Sequence, residues 1–429
     1  MEKTSLDRRL GLVSAISVTA GSVIGSGVFL VASDITRAVP SPMAALSVWL
    51  VAGLLSLLGG LTFAEMGAMY PGAGGQYVYL REAFGPLPSF LYGWTLFWVI
   101  QAGSVAAVAI AFAQYFSAFV PMGPTGVKLV GSAVIALLTV LNMRGVEKGA
   151  HLLDAVTGFK ALALVAIAAA GFLLPAQSSL AGSWTVSAPA YGVALIAAFW
   201  AYDGWNNVTF VAGEIKEPQR NVPLALAIGL AGVTLLYLGA NTAYFRMLSV
   251  EAIGASPFVA ADAAQAMGGS FWARAMSALV LVSTFGCVNG MVLAGPRVTY
   301  AMAEDKRLPA WLAFVHPRFR VPTNALLAQM VWSILLVWSG RYDQLFTYVV
   351  SAAFIFYGLT GAGVLVLRRT RPDAERPYKV PLYPILPLAY VVFCAAFVAN
   401  SFREKPMESL AGLAIVLLGV PVYKMYKTA

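Results

Sequence analysis

Gly21-Ser22-Val23-Ile24-Gly25-Ser26-Gly27-Val28-Phe29 lies in the middle of an apolar run from Leu10 to Val39, where a membrane helix should be continuous. Three glycines and two serines in the seven residues from Gly21 to Gly27 make a poor helix. Glycine costs about 1 kcal/mol relative to alanine in a helix interior. In hydrocarbon, a backbone that opens must have its polar groups satisfied by protein, water or a ligand. An opened backbone at mid-membrane therefore offers bare N–H and C=O groups, a combination that suits a zwitterion.

Composition places that break in a bilayer. Of the 429 residues, 59% are hydrophobic and 11% charged, with a mean hydropathy of +0.77. A soluble domain carries roughly 25% charged residues. At about 20 residues per span, hydropathy predicts an all-α integral membrane protein with twelve transmembrane helices. They fall near 10–38, 41–67, 88–119, 127–141, 150–174, 189–213, 222–247, 271–303, 323–338, 343–367, 382–401 and 407–426. The third is long enough to be strongly tilted, and the ninth is short.

The net charge of +9 is sorted by loop. With the N-terminus inside, basic residues gather in the inner loops: Lys3, Arg8 and Arg9, then Lys306, Arg307, Arg318 and Arg320, then Arg368 through Lys379. That is the positive-inside pattern. It excludes a nucleic-acid partner and predicts a multi-pass protein of the cell inner (plasma) membrane with both termini cytoplasmic. A polar tail over 1–9 runs straight into the first span, so no signal peptide is expected. Cys287 and Cys394 both fall inside spans, as small apolar residues would. His151 and His316 sit at inner loop edges, and no HExxH or GxSxG motif is present. No metal, cofactor or catalytic set is indicated, and the chain does not read as an enzyme.

After the second span, Pro71-Gly72-Ala73-Gly74-Gly75-Gln76-Tyr77-Val78-Tyr79 reads either as a short segment packed under the bundle or as an ordinary loop. Gln101 and Ser104 in the third span line a pocket or, the favoured reading, serve small-residue helix packing. Lys160 lies some ten residues into the fifth span, where an unpaired lysine costs several kcal/mol. It either snorkels to the interface or stands as a fixed cation against the carbonyls of the broken first helix.

The sixth span repeats the anomaly in Phe199-Trp200-Ala201-Tyr202-Asp203-Gly204-Trp205-Asn206-Asn207. Gly25 and Gly204 each fall in the first span of a five-span block. Interrupted helices in corresponding positions of two halves are the best sequence pointer to a transporter site on an inverted repeat. The expected organisation is a tail over 1–9, a first five-helix repeat over 10–174, a second inverted one over 189–367, and helices 11 and 12 over 382–426.

A broken helix exposes the N-terminus of its second half, which favours an anion. A substrate carboxylate belongs at Ser26, Gly27 and Val28. Its ammonium belongs at the carbonyls of Val23 and Ile24, with those of Trp200 and Asp203 corresponding in the sixth span. An α-amino acid uses both poles. Trp200 is placed as an aromatic lid or as a packing residue. Asp203 could attract a cationic side chain, accept from a hydroxyl, carry a proton or bond structurally.

The opening stretch resembles the first-helix signature of the L-type amino acid transporters, of the amino acid–polyamine–organocation superfamily. Four more stretches agree with that family: Ala64-Glu65 with Pro71 to Tyr77; Ala201 to Asn206; Phe285-Gly286-Cys287-Val288-Asn289-Gly290; and Glu375-Arg376-Pro377-Tyr378-Lys379-Val380. The resemblance runs from about Leu10 to Tyr426. It implies the LeuT-type 5+5 inverted-repeat fold, with discontinuous helices 1 and 6, and sodium-independent exchange. It implies that Ser26 and Gly27 bind the substrate carboxylate and that the carbonyls of Val23, Ile24 and Trp200 bind its amino group, with Lys160 in place of a sodium ion. With the breaks themselves, the expected substrate-binding set is Val23, Ile24, Gly25, Ser26, Gly27, Trp200, Tyr202 and Asp203.

Two departures from the animal members narrow the expectation. They carry a cysteine after span three that bonds a heavy chain, whereas the corresponding loop here is Val120-Pro121-Met122-Gly123-Pro124-Thr125-Gly126. No disulfide-linked heavy chain is expected, so the chain resembles a light-chain-only, prokaryote-type member. They often have glycine and phenylalanine where Asp203 and Trp200 stand, which puts large substrates in doubt. The expected function is antiport of small neutral L-amino acids such as alanine, serine and threonine by alternating access. The alternative is proton-coupled uptake of amino acids, polyamines or other amines.

Overall fold

Proline starts many of the helices, because its missing N–H falls among donors that have no partner in a first turn. The computed structural model describes residues 6–181, 186–339, 342–404 and 406–427; Lys3 lies outside them. The first helices are α1 (Leu12–Val23), α2 (Gly27–Ala38), α3 (Pro42–Met69), α4 (Gln76–Phe84), α5 (Pro86–Thr95) and α6 (Gln101–Phe116). A π-turn over Leu96–Ile100 joins α5 to α6. Then come α7 (Pro124–Met143), α8 (Val146–Leu173), α9 (Ala188–Tyr202), α10 (Asn207–Phe210) and α11 (Pro218–Met247). Two short helices come next, α12 (Val250–Ala255) and α13 (Val259–Gly268). The chain continues through α14 (Ser270–Ala294), α15 (Pro296–Glu304), α16 (Thr323–Ser339), α17 (Tyr342–Thr370), α18 (Ile385–Glu404) and α19 (Pro406–Lys427).

Among the described residues, eight helices are long and apolar enough to cross a membrane. The pair α1 and α2, bent by 40° at its break, makes a ninth. Leu129, Leu137, Phe159, Leu162, Leu235 and Val392 face outward and are exposed. A soluble protein would not present such a wall, and a bilayer covers it. Inside, helices approach through small residues. A Cβ added at Gly171 of α8 would come within 2.3 Å of Ala243 Cβ on α11.

Polar ties gather at the end of the bundle where the basic loops lie. Arg297 of α15 donates to both carboxylate oxygens of Glu214, at 2.7 and 3.1 Å, with both side chains fully buried. The Glu214 carbonyl accepts from the N–H groups of Arg9 and Leu10 at 2.8 and 2.9 Å, and Lys216 N–H donates back to the Leu10 carbonyl. The segment before α1 is thereby stitched to the strand-like stretch after α10. Glu65 of α3 accepts from Arg368 of α17 at 2.8 and 2.6 Å and from Val380 N–H at 2.8 Å. Two stretches far apart in sequence, Ala64-Glu65 and Glu375 to Val380, meet in that one cluster.

The glycine-rich stretch is a turn over 71–75 that leads into a helix from Gln76 on. Gly74 and Gly75 take positive φ and lead into α4. Buried Gln76 donates to Thr360 Oγ1 at 2.9 Å and accepts from Asn206 at 3.3 Å. Tyr77 donates to Asp305 at 2.9 Å, and Arg81 pairs with the same carboxylate. The helices α12 and α13 go beyond what hydropathy predicts, because they are too short to give a span signal.

Replacing Arg297 by alanine leaves the Glu214 carboxylate buried without its partner, a defect of roughly 3–5 kcal/mol. The expected result is a clear drop in melting temperature in detergent for Arg297→Ala, largely recovered in Arg297→Met with Glu214→Leu. An unchanged melting temperature in the single variant would show that the pair does not hold this end together.

Candidate functional site

The first helix stops at Val23 and restarts at Gly27. Ile24 takes φ −71° and ψ 79°, and Gly25 N–H turns back onto the Val23 carbonyl at 2.7 Å. This is an inverse γ-turn, which reverses the chain with a single residue. Ser26 caps the second half through its carbonyl, which accepts from Phe29 and Leu30 N–H at 3.1 Å each. The N–H groups of Ser26, Gly27 and Val28 come before the first helical acceptor and point out of the helix end. The sixth-span break lies against this one. The α9 helix ends at Tyr202, Asp203 N–H reaches the Trp200 carbonyl at 3.2 Å, and Gly204 has φ +97°. A side chain there would be strained, and its Cβ would lie 3.2 Å from the Ser22 carbonyl oxygen.

The freed carbonyls of the first break all find donors. Lys160 of α8 is fully buried and donates to the carbonyls of Gly21 at 2.7 Å and Ile24 at 2.5 Å. It does not snorkel. Ser283 of α14 lies 3.1 Å from the carbonyls of Ile24 and Gly25, and the Cys287 thiol donates to that of Ser22 at 3.0 Å. The Tyr237 hydroxyl of α11 lies 3.0 Å from the carbonyls of both Val23 and Ala201, so one group bridges the two broken helices. Sequence reasoning misses Tyr237, because a lone tyrosine in an apolar span carries no periodic signal.

A narrow cavity of about 20 Å³ opens at the break, lined by Ser22, Val23, Gly25, Ser26, Gly27 and Ser104, with Val108, Trp200, Asp203, Cys287 and Met291 opposite. It holds about one water, so the walls must part for anything larger. The structure thus brings together Val23, Gly25, Ser26, Gly27, Trp200 and Asp203. Two residues of the expected set stand elsewhere. The Ile24 carbonyl is committed to Lys160 and Ser283 rather than to the cavity, because burial of the ammonium required acceptors there. Tyr202 turns away, donating to the Trp49 carbonyl at 3.1 Å and packing against the rings of Trp49 and Tyr237. Gly27 has a further reason to be glycine: an added Cβ would sit 2.5 Å from Ala201 Cα.

Asp203 accepts from the Tyr357 hydroxyl of α17 at 2.7 Å and lines a second cavity with Tyr92, Gln101, Ser104, Asn206, Asn207 and Met291. Gln101 donates to the Met291 carbonyl at 2.9 Å, a packing role. Ser104, for which the sequence also favours packing, lines both cavities. Its hydroxyl is buried without a partner, as is that of Ser22.

The family model described as "Amino acid permease" matches residues 10–420. The chain is 32% identical to the b(0,+)-type amino acid transporter 1 of Mus musculus, over 99% of this chain and 89% of that protein. It is 31% identical to the cystine/glutamate transporter of Homo sapiens, over 99% and 86%. It is 32% identical to the serine/threonine exchanger SteT of Bacillus subtilis, over 98% and 97%. A helical membrane bundle whose two breaks meet at a buried polar cavity accords with these relatives: the chain belongs to the amino acid permease family, in the amino acid–polyamine–organocation superfamily, and is a transporter of amino acids rather than an enzyme.

Proposed function

We propose that this chain is a sodium-independent exchanger of small neutral L-amino acids such as alanine, serine and threonine, working by alternating access. The fold proposed with it is the LeuT-type 5+5 inverted repeat, over 10–174 and 189–367, followed by two spans over 382–426. The long apolar helices, the bent α1–α2 pair and the three shorter apolar helices Ala188–Tyr202, Thr323–Ser339 and Ser409–Met425 supply its twelve crossings. The membrane is the cell inner (plasma) membrane with both termini cytoplasmic, in keeping with the basic loops. Val120 to Gly126 contains no cysteine, which supports a chain that works without a disulfide-linked heavy chain.

The observation that carries the reading is the Lys160 ammonium on the carbonyls of Gly21 and Ile24. A fixed cation of the protein satisfies the acceptors that an added ion would otherwise have to meet, which supports transport without sodium. The substrate carboxylate is assigned to the N–H groups of Ser26, Gly27 and Val28, where the helix end favours an anion. The ammonium is assigned to the carbonyls of Val23 and Trp200, which accept from the Tyr237 hydroxyl and the Asp203 N–H and would exchange those donors for it. Trp200 covers the site from the outer side.

A second reading, proton-coupled uptake of amino acids, polyamines or other amines, is favoured by one observation. The Asp203 carboxylate faces two cavities in the bundle, where an ionisable group is a functional candidate by default. Uptake of labelled alanine and serine into proteoliposomes, without sodium or a pH gradient, separates the two. Exchange predicts uptake only into vesicles preloaded with unlabelled amino acid. Accumulation in empty vesicles under an imposed proton gradient would replace exchange with the second reading.

In the same assay Lys160→Ala should lower exchange at least ten-fold, because two buried carbonyls lose their donor, and added sodium should not restore it. Wild-type rates in that variant would remove Lys160 from the mechanism. Asp203→Gly frees Tyr357 and enlarges the wall, and larger side chains such as leucine should then compete. An unchanged competition panel would assign Asp203 to structure.

A further inference from the structure

Hydroxyls on membrane helices usually satisfy themselves on the carbonyl one turn back. Thr95, Thr139, Thr284 and Thr360 of this chain all do so, at 2.7–2.8 Å. Ser104 does not. It lies about one turn past the π-turn of Leu96–Ile100, and its hydroxyl is buried without a partner. About three turns earlier on the same span, the Tyr92 hydroxyl is likewise buried and unpartnered. These side chains are 3% and 1% exposed respectively, and both line the cavity that Asp203 faces. A π-turn inserts one residue into the helix and re-aims the side chains beyond it, and such turns are frequent at functional sites.

The two cavities share Ser104, Asp203 and Met291, so they adjoin. An amino acid held at the first break by its carboxylate and ammonium has one group left to place, its side chain. The adjoining cavity, about 10 Å³ and room for no more than one water, is where it would go once the walls part. Its wall offers the hydroxyls of Ser104 and Tyr92, and neither is satisfied by protein. Buried unpaired polar groups are costly, and a site built to bond a substrate hydroxyl rejects the analogue lacking it.

We infer that Ser104 and Tyr92 form a specificity subsite for a side-chain hydroxyl, so that serine and threonine are preferred over their apolar counterparts alanine and valine. This rests on the amino acid exchange reading above. The Ser104 hydroxyl meets a short side chain at the shared wall, and Tyr92 meets a longer one deeper in the cavity. Asp203, held by Tyr357, keeps an acceptor face toward the same space.

The test is competition against labelled serine exchange in proteoliposomes, comparing serine with alanine, threonine with valine, and homoserine with 2-aminobutyrate. Wild type should favour the hydroxyl-bearing member by roughly ten-fold or more. Ser104→Ala should lower the serine-to-alanine ratio several-fold, and Tyr92→Phe should act most on the homoserine pair. Ratios near one in wild type, a result that needs no variant to fold, would overturn the subsite while leaving exchange intact. So would ratios unchanged in both variants. If wild type exchanges none of these amino acids, the exchange reading fails and the subsite falls with it.

Discussion

A helix opened inside hydrocarbon leaves carbonyls that must find donors, and in this protein a buried lysine is the principal one. Lys160 reaches the carbonyls of Gly21 and Ile24 across the gap between α8 and α1. Ser283, Cys287 and Tyr237 satisfy the remaining exposed carbonyls. An isolated ammonium at that depth would be expensive, and so would isolated carbonyls. Each defect removes the other. The break is consequently a property of four helices, α1, α8, α11 and α14, and displacing any one of them disturbs the others.

The N–H side of the break is treated differently. Ser26 and Gly27, whose N–H groups precede the first helical turn, line a cavity. Positive charge is supplied to the carbonyl end by the protein, and this asymmetry supports the proposed placement of a substrate carboxylate at the amide end. Tyr237 couples the break to the sixth span by touching Val23 and Ala201 together. The basic end is fastened separately, by Glu214 with Arg297 and by Glu65 with Arg368. Glu214 and Arg297 follow closely on the cavity-lining Phe210 and Met291, so this tie fastens the elements that border the cavity.

Much of this is legible in the chain. Hydropathy and the sorting of lysines and arginines point to a multi-pass bundle, because spans are predominantly apolar and inner loops carry an excess of basic residues. The two breaks are legible because glycine, serine, asparagine and aspartate are conspicuous in apolar sequence. The cavity walls are less so. The Ile24 carbonyl and Tyr202 are expected at the substrate and stand elsewhere, since the direction of a carbonyl or a ring depends on neighbouring helices. Ser104 reads as packing for the same reason.

Local chemistry therefore determines where this backbone opens and which end of the opening is positive. Glycine weakens a helix there, and peptide dipoles have a fixed direction. What only the packed bundle decides is which partners meet the opening. Lys160, Tyr237 and Ser283 come from three helices separated by many tens of residues, and no periodicity encodes their convergence. The same holds for the orphan hydroxyls of Tyr92 and Ser104, whose lack of a partner exists only once the surrounding helices have closed. A sequence can show that a polar group is present, but only the folded neighbours show whether it has been satisfied.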